Sequence, residues 1–344
     1  MSEELLEIDG SSGEGGGQIL RTSLTLSLLT GRPFQLYNIR AGRSKPGLQP
    51  QHLMSVRAAA EIGQAKLRGA SRGSSDLTFE PGEVTAGNYR FDIGTAGATS
   101  LVLQTIALPL ALRGSMPSHV TLVGGTHVST SPCFHFLDTT WRHYLRLLQV
   151  RLSLRMVRPG FYPRGGGQVD ADVQPCNRLA HARFHERGPV RFSGFSAVAG
   201  LPEDIARRQA RRARFRLEQN DLQAEIREDS WEGGPGTVLG IVVNTTPAPV
   251  LFFGLGARGK PAERVADEAV DQVLAYIRAA PAAVDSHSAD QLVLPLALAD
   301  GSSEYTVAEV TPHLTTNIAV IRRFIDREIT CDGAEGEQGV VRIG

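Results

Sequence analysis

A glycine-rich segment near the start of the chain has the composition of an anion site. Glycines at positions 13, 15, 16 and 17 surround Glu14, and an amphipathic run containing Arg21 follows. Glycine lets the backbone approach a ligand closely, and a helix N-terminus attracts anions, most simply a phosphate. The carboxylate of Glu14 then indicates a divalent cation that bridges it to the phosphate. The alternative is a strand–helix turn with purely geometric glycines.

The familiar nucleotide fingerprints do not match this segment. A P-loop continues from its first glycine, after four residues, into Gly-Lys-Ser/Thr, whereas Gly10 leads in that register to Gly15, Gly16 and Gly17. The Gly-x-Gly-x-x-Gly pattern, started at Gly13, ends on Gln18.

His313 is the candidate nucleophile of the chain. It follows Pro312 and precedes a Leu-Thr-Thr-Asn run that ends at Asn317. Proline keeps the preceding residue out of helical geometry, so His313 is predicted at or just before a helix N-terminus. There the imidazole would tend to stay neutral and nucleophilic, with Asn317 and the threonines able to orient it. The alternative is a polar cap or a core spacer.

Cations flank the glycine-rich segment. Arg21, Arg40, Arg43 and Lys45 could converge on a polyphosphate, since arginine suits bidentate phosphate contacts. Each one alone is more typical of a surface cation, whereas together with the glycine-rich segment they favour an anion site.

Four further polar residues are candidates for the site. Two glutamines follow small-residue or cationic loops, and an Asp-Gln pair precedes an apolar run. Gln51 and Gln104 each lie on a predicted helix, and the pair Asp290-Gln291 directly precedes an apolar helix or strand. The alternatives are surface glutamines and an aspartate that caps a helix N-terminus.

The elements that position these residues alternate between strand and helix, which predicts an α/β or α+β fold. A β-α-β-α-β-β order is expected over the first hundred or so residues and then restarts. In the first part the expected strands include residues 34–40, 77–79 and 89–93, and the first helix ends at Gly31. The restart comprises a loop at 94–100, a helix at 101–112, a strand at 120–123 and a helix near 136–148.

Residues 186–279 read as a self-contained inserted α/β domain. We expect strands at 190–198, 238–244 and 250–255 and helices at 204–218 and 262–278. The arginine-dense helix at 204–218 either contacts RNA phosphates or presents a solvated face. The predicted domain limits are therefore 1–185, 186–279 and 280–344.

Composition excludes several classes of protein. The 344 residues carry 36 Lys+Arg and 36 Asp+Glu, so no global basic field attracts nucleic acid. Three distant cysteines fit a reducing compartment, and the acidic start Met1–Glu4 is unlike a signal peptide. The apolar run 101–112 is too short for a membrane span. A cytoplasmic protein without a membrane partner is expected.

Taken in chain order, several segments resemble the RNA 3'-terminal phosphate cyclase family. They cover residues 8 to about 325. The segments that carry the resemblance are Asp9 to Arg21, Ile39 to Leu48 with Gln51-His52-Leu53, Leu101 to Thr105, Gly124-Gly125-Thr126, Gly160 to Pro163 with the glycines after it, Ala289 to Leu298, and His313 to Ile318.

The resemblance implies a large domain of three β-α-β-α-β-β units, with a smaller α/β domain inserted before the last unit. It also implies ATP-dependent conversion of an RNA 3'-phosphate into a 2',3'-cyclic phosphodiester. In that chemistry a histidine, here His313, forms a covalent histidine–AMP, and AMP then passes to the RNA end. RNA with a 3'-phosphate end and ATP are the implied partners.

Site roles carried over from the family are equally specific. Glu14 would hold Mg²⁺ or Mn²⁺. The implied phosphate ligands are Arg21, Arg40, Arg43 and Gln51. The implied nucleotide contacts are Gln104, His287, Ser288, Ala289, Asp290 and Gln291, with Pro132 and Phe136 against the base.

The chain departs from the family pattern at three histidines, which bears on nucleotide preference. An aromatic is expected at His287, and acidic or amide side chains are expected at His127 and His135.

A binding protein related to ribosome-assembly members of the family is one alternative function, although those relatives lack the nucleophile. An enolpyruvyl-type transferase is another, but it gives the histidine motif no role. The oligomeric state stays open, with a homodimer as one option.

Overall fold

The computed structural model describes residues 5–279 and 281–344. The acidic start Met1–Glu4 and the domain limit expected at residue 280 fall outside the described residues.

The first unit has the predicted β-α-β-α-β-β order. Its elements are β1 (Leu6–Asp9), α1 (Gly17–Thr30), β2 (Phe34–Tyr37), α2 (Pro50–Ile62), β3 (Lys66–Arg68) and β4 (Leu77–Glu80). The sheet order is β1-β2-β4-β3, with β1 and β2 parallel and the other pairs antiparallel. Gly31 ends α1 in the left-handed region at φ 79°, as expected.

The assignment of a strand at 89–93 to this first unit was wrong. The strand that the sequence did not predict is β3, a three-residue strand in which two residues are exposed. Such a short and exposed strand carries no alternation of apolar and polar residues for a sequence pattern to detect.

The second unit repeats the topology of the first. Its elements are β5 (Asn88–Asp92), α3 (Thr99–Arg113), β6 (Ser118–Gly124), α4 (Phe134–Phe136), a π-helical turn (Leu137–Trp141), α5 (Arg142–Leu147), β7 (Leu152–Arg158) and β8 (Gly167–Val173). The order β5-β6-β8-β7, with β5 and β6 parallel, matches the first sheet strand for strand.

After β9 (Arg183–Phe184) the chain builds a separate sheet with its own helices. The elements of this inserted unit are β10 (Arg191–Ala199), α6 (Asp204–Glu218), β11 (Ala224–Trp231), β12 (Gly236–Asn244), β13 (Val250–Leu255) and α7 (Ala262–Arg278). The sheet order is β11-β10-β12-β13, and α6 and α7 pack against it around a second apolar core. Sequence patterning missed β11, because this edge strand is mostly polar and half of its residues are exposed.

The chain then completes the third unit. Its remaining elements are α8 (Ser286–Ala297), β14 (Ser303–Val307), α9 (Pro312–Phe324), β15 (Ile329–Asp332) and β16 (Gly339–Ile343). The sheet order β9-β14-β16-β15, with β9 and β14 parallel, reproduces the connectivity of the other two units. Residues 183–184 therefore supply the first strand of the third sheet from before the inserted unit. The domain limits themselves stay predictions.

The helices of the three units pack against one another. Helix α1 contacts α2, α3 and α9, and α8 contacts α9. This packing brings the first turn of α1 close to the first turn of α9, although nearly three hundred residues separate them in the sequence.

Within the described ranges 5–279 and 281–344, every helix is too short or too polar to cross a lipid bilayer.

Candidate active site

His313 lies in the first turn of α9. The helix begins at Pro312, and its N-cap is Thr311, whose side chain accepts a hydrogen bond from the Leu314 N–H at 3.2 Å. The predicted helix start is thus confirmed. The side chain of His313 is 58% exposed, so a ligand can reach the imidazole.

A glutamine from α1 orients this imidazole. Oε1 of Gln18 lies 2.7 Å from Nδ1 of His313, and Nε2 of Gln18 donates to Oδ2 of Asp290 at 2.7 Å. Because the amide nitrogen faces the carboxylate, the amide oxygen faces the ring, and Nδ1 must be the N–H donor. That leaves the lone pair on Nε2 of His313 free for nucleophilic attack.

Asn317 and the threonines, which the sequence suggested as partners of the histidine, make other contacts. Asn317 accepts from the hydroxyl of Thr22 at 2.6 Å and donates to the backbone carbonyl of Asp290 at 2.5 Å. Thr316 accepts from the backbone N–H of Glu14 at 3.0 Å. These bonds join α9 to α1, to α8 and to the glycine-rich segment.

The glycine-rich segment lies directly against α9. Gly13 has φ 55°, and a Cβ added there would lie 2.2 Å from Oγ1 of Thr316. Only glycine allows both this backbone conformation and this close approach. The segment is therefore positioned by α9 as well as by its own sequence.

Glu14 presents one unpartnered carboxylate oxygen. Its Oε2 accepts from Nη2 of Arg43, and the same Nη2 donates to the Glu14 carbonyl at 2.8 Å. Its Oε1 is buried without a hydrogen-bond partner and lies 4.0 Å from Nδ1 of His313. A buried, unpaired carboxylate oxygen is rare, and it suits Mg²⁺, which commonly uses one or two carboxylates together with substrate phosphates. The residue fits the expected cation.

Arg21 and Arg40 converge on the same region. Burial lowers the pKa of Arg21 to about 10, and the charges of Glu14 and Asp290 oppose this shift. The pKa of Arg40 is lowered by burial and then by the neighbouring Arg43, while Glu14 raises it. The guanidinium of Arg40 donates to the carbonyl of Gly47 at 3.2 Å, so it is held by its own loop.

His52 belongs to this cationic cluster, and sequence reasoning assigned it no role. Its side chain is 5% exposed, and its Nδ1 accepts from the backbone N–H of Gln49 at 3.2 Å. Burial, followed by the charges of Arg21 and Arg40, lowers its pKa to about 3. A neutral imidazole thus supports the arginines without adding to their charge.

The two predicted glutamines take part in contacts between helices. Oε1 of Gln51 accepts from the backbone N–H of Ala98, the N-cap of α3, at 3.1 Å. Nε2 of Gln104 donates to Oε1 of Gln291 at 2.8 Å, and Gln291 donates to the backbone carbonyl of His287 at 2.9 Å. Gln104 and Gln291 thereby connect α3 to α8.

A cavity lies between α1, α3, α8 and α9 beside these groups. Its wall combines polar side chains with apolar ones. The lining residues are Gln18, Arg21, Thr22, Thr25, Gln104, Leu108, Trp141, Leu145, Asp290, Gln291, Leu294, Pro295 and Asn317. A cavity with an apolar wall and a few convergent polar groups has the composition of a small-molecule site.

Asp290 is not a helix cap, contrary to one of the alternatives. The N-cap of α8 is Asp285, whose side chain accepts from the N–H groups of His287 and Ser288, each at 3.0 Å. Asp290 lies further along the helix and faces the cavity. Burial raises its pKa to about 7, while Arg21 and Gln18 oppose that shift.

The chain matches a known protein family over most of its length. The sequence profile of the RNA 3'-terminal phosphate cyclase family matches residues 12–331.

The chain belongs to the RNA 3'-terminal phosphate cyclase family.

Proteins named RNA 3'-terminal phosphate cyclase are similar over almost their full length. The protein from Ralstonia nicotianae is 47% identical over 98% of this chain and 96% of its own length. The protein from Caldivirga maquilingensis is 45% identical over 94% of each chain. The protein from Salmonella typhimurium is 41% identical over 96% of each chain.

Five of the residues that the family resemblance places against the nucleotide are absent from the cavity lining. These residues are Pro132, Phe136, His287, Ser288 and Ala289. Phe136 is 3% exposed and packs in the main core, and the carbonyl of Ala289 accepts from the Tyr305 hydroxyl at 2.8 Å. Their contact with a nucleotide stays a prediction.

A pattern on α1 could have identified Gln18. Gln18, Arg21, Thr22 and Thr25 follow the spacing i, i+3, i+4 and i+7, which places them on one face of a helix. All four line the cavity. This polar stripe along one face of α1 is the available sequence signal.

Three of the six arginines of α6 are engaged with α7. Arg208 pairs with Glu263 at 2.8 Å, and Arg212 pairs with Asp267 at 2.8 Å. Arg216 pairs with Asp271 at 2.9 Å. These ion pairs fasten two helices of the inserted unit, whereas Arg207 and Arg211 are exposed. Contact of α6 with RNA stays a prediction.

Proposed function

We propose that this protein converts the 3'-terminal phosphate of an RNA into a 2',3'-cyclic phosphodiester in an ATP-dependent reaction. The reaction proceeds through a covalent His313–AMP and an RNA(3')pp(5')A intermediate. Membership of the cyclase family supports the overall reaction, and the geometry around His313 supports the route.

The observation that carries the proposal is the contact between Gln18 and His313. The 2.7 Å separation of Oε1 and Nδ1 leaves Nε2 of an exposed imidazole as the free nucleophilic nitrogen. Oε1 of Glu14 lies 4.0 Å from Nδ1 of His313, and Arg21 and Arg40 are close enough to Glu14 to feel its charge. Guanidinium groups suit a polyphosphate, and the carboxylate suits a cation bound to it.

The chemistry has three displacements. Nε2 of His313 attacks the α-phosphorus of ATP, the bond to the bridging oxygen of the β-phosphate breaks, and pyrophosphate leaves. An oxygen of the RNA 3'-phosphate then attacks the same phosphorus, and the histidine leaves. Finally the adjacent 2'-hydroxyl oxygen attacks the 3'-phosphorus, its proton passes to water, and AMP leaves as the ring closes.

Each group of the site has a defined part in this route. A phosphate monoester is a poor electrophile, and attachment of AMP supplies the leaving group. Gln18 holds the imidazole, and Arg21, Arg40, Arg43 and Gln51 would bind phosphates. Gln104, Asp290 and Gln291 would contact the nucleoside from the cavity wall. Mg²⁺ or Mn²⁺ held by Glu14 would stabilise negative charge on the phosphates.

The test is covalent labelling. The purified protein is incubated with ATP labelled at the α-phosphate, together with Mg²⁺ or Mn²⁺, and the protein is examined for label. The bond should be labile in acid and stable in alkali, as a phosphoramidate is. His313→Ala should abolish the label, whereas His181→Ala, which changes an exposed histidine elsewhere, should retain it.

Two results would contradict the proposal. Absence of label on the wild-type protein would remove the covalent route and leave a nucleotide- or RNA-binding role. Label that persists in His313→Ala would place the nucleophile elsewhere. A separate assay measures conversion of a 3'-phosphorylated RNA oligonucleotide into its 2',3'-cyclic phosphodiester. Cell fractionation tests the expected cytoplasmic location.

A further inference from the structure

Three side chains with metal-binding atoms cluster outside the lining of the cavity described above. The ligand atoms of His127, Cys133 and His135 all lie within 4.8 Å of one another. His127 and Cys133 are buried at 1% and 0% exposure, and His135 is half-buried. Among the described residues, no fourth His, Cys, Asp or Glu joins this cluster.

The separations suit a metal ion. Nε2 of His127 faces Nδ1 of His135 at 3.0 Å. In a tetrahedral zinc site, with Zn–N of about 2.0–2.1 Å and Zn–S of about 2.3 Å, neighbouring ligand atoms lie roughly 3–4 Å apart. The cluster therefore needs only small side-chain adjustments to close around one ion.

The far side of the His127 ring has a hydrogen-bond partner. Nδ1 of His127 lies 2.8 Å from Oγ1 of Thr126, and the Gly160 N–H donates to that same oxygen at 2.9 Å. In the tautomer in which Nδ1 of His127 donates to this oxygen, the hydroxyl of Thr126 can donate to the Gly160 carbonyl at 3.4 Å, and Nε2 of His127 directs a lone pair into the cluster. Such a hydrogen bond behind a ligating histidine is the usual support of a metal site.

The surroundings select the kind of metal. The ring centroid of Phe195 lies 4.2 Å from that of His135. Trp231 stacks on His135 with 5.4 Å between ring centroids, and Phe161 stacks on His127 with 5.2 Å between ring centroids. An apolar wall with two imidazoles, one thiol and no carboxylate disfavours Mg²⁺ and Ca²⁺ and favours a thiophilic transition metal. This ligand set differs from the oxygen donor at Glu14.

The cluster lies where two parts of the fold meet. His127, Cys133 and His135 belong to the second repeated unit, whereas Phe195 and Trp231 come from β10 and β11 of the inserted unit. An ion at this point would stiffen the segment on which the inserted unit rests.

We propose that His127, Cys133 and His135 form a Zn²⁺ site with three protein ligands and one open coordination position. The site braces the contact between the second repeated unit and the inserted unit. It is separate from the catalytic chemistry proposed above, so either can fail alone.

The experiment measures metal binding directly. The full-length protein is freed of metal with a chelator and titrated with Zn²⁺ in competition with a chromophoric chelator, and with Co²⁺ as a spectroscopic probe. We expect one ion per chain, a thiolate-to-cobalt charge-transfer band, and a Tm that rises with Zn²⁺ concentration because the ion binds the folded state.

Variants separate this site from other binding. Cys133→Ser should remove the charge-transfer band, and His127→Asn and His135→Asn should each weaken Zn²⁺ binding by at least about tenfold, as measured by the competing chelator. Cys176→Ser and Cys331→Ser, which change cysteines outside the cluster, should bind as the wild type does. Glu14→Ala should also retain Zn²⁺.

The proposal is overturned if the wild-type protein binds no Zn²⁺ in a one-to-one ratio, a result that does not depend on any variant folding. It is equally overturned if the cobalt band survives in Cys133→Ser or disappears in Cys331→Ser. Circular dichroism of each variant shows whether a loss of binding reflects a loss of fold.

Discussion

Oε1 of Gln18 lies 2.7 Å from Nδ1 of His313, and this contact joins the first turn of α1 to the first turn of α9. The other end of the same amide donates to Asp290 on α8. One side chain therefore connects three helices and fixes which imidazole nitrogen is available.

Gln18→Ala should slow His313 labelling by about 100-fold, since a misplaced catalytic group commonly costs that much. The effect should fall on the rate and leave the apparent affinity for ATP nearly unchanged, because Gln18 acts through the imidazole. Rapid-quench labelling across a range of ATP concentrations separates the two quantities.

The matched control for Gln18 is Gln35→Ala. Gln35 donates to Asp76 at 3.1 Å in an exposed hydrogen bond and does not line the cavity. If both alanine variants label at the wild-type rate, Gln18 has no positioning role.

Asp290→Asn should change how stability depends on pH. The folded pKa of Asp290 is raised to about 7 from an ordinary 3.8, chiefly by burial. Between these values the folded state holds a proton that the unfolded chain releases, so wild-type stability falls as pH rises towards 7. The slope from this group is at most about 1.4 kcal/mol per pH unit.

The asparagine variant lacks this contribution. Its free energy of unfolding, minus that of the wild type, should therefore increase as the pH rises from 5 to 8, as measured by urea denaturation. Asp300→Asn, which changes an exposed carboxylate, should show no such trend. A difference between Asp290→Asn and wild type that stays constant with pH would contradict the raised pKa.

His52→Gln should change stability in the opposite pH direction. Burial among arginines lowers the pKa of His52 to about 3 from 6.5. Below pH 6.5 the unfolded chain binds a proton that the folded state does not bind. Because of this residue, the free energy of unfolding of the wild type falls by up to about 1.4 kcal/mol for each unit that the pH decreases. The variant should lose less stability between pH 7 and pH 5.

Urea midpoints at several pH values measure the His52 effect. His181→Gln, at an exposed position, serves as the control and should follow the wild-type curve. Parallel curves for His52→Gln and wild type would show that His52 is protonated as readily in the folded state as in the unfolded chain.

Gly13→Ala should uncouple the glycine-rich segment from α9. The left-handed conformation at φ 55° costs an L-residue about 1–2 kcal/mol. The added Cβ also meets Oγ1 of Thr316 at 2.2 Å, so the bond from the Glu14 N–H must stretch or break. Labelling of His313 should slow by at least about tenfold.

Gly42→Ala is the control for this substitution, because a Cβ at Gly42 meets nothing within 4 Å. It should label at nearly the wild-type rate. Equal rates for Gly13→Ala and Gly42→Ala would show that the fit of Gly13 against Thr316 is dispensable.

Much of this molecule could be predicted from the chain. The first repeated unit follows from apolar spacing in α1, from Gly31 at its end, and from the alternation in β2. His313 at a helix start follows from Pro312. Among the strands that the sequence patterns did not predict, β3 is short and exposed and β11 is a mostly polar edge strand, so neither shows a hydrophobic period.

Local sequence determined the types of residue in the candidate site: a carboxylate among glycines, a cationic loop, and a histidine beside a proline. The tertiary structure decided their partners. Gln18 rather than Asn317 contacts His313, Asp290 accepts from Gln18, and Thr316 accepts from the Glu14 N–H of the glycine-rich segment. The physical reason is that these bonds join residues far apart in the chain, and the packing of α1, α8 and α9 alone sets their distances.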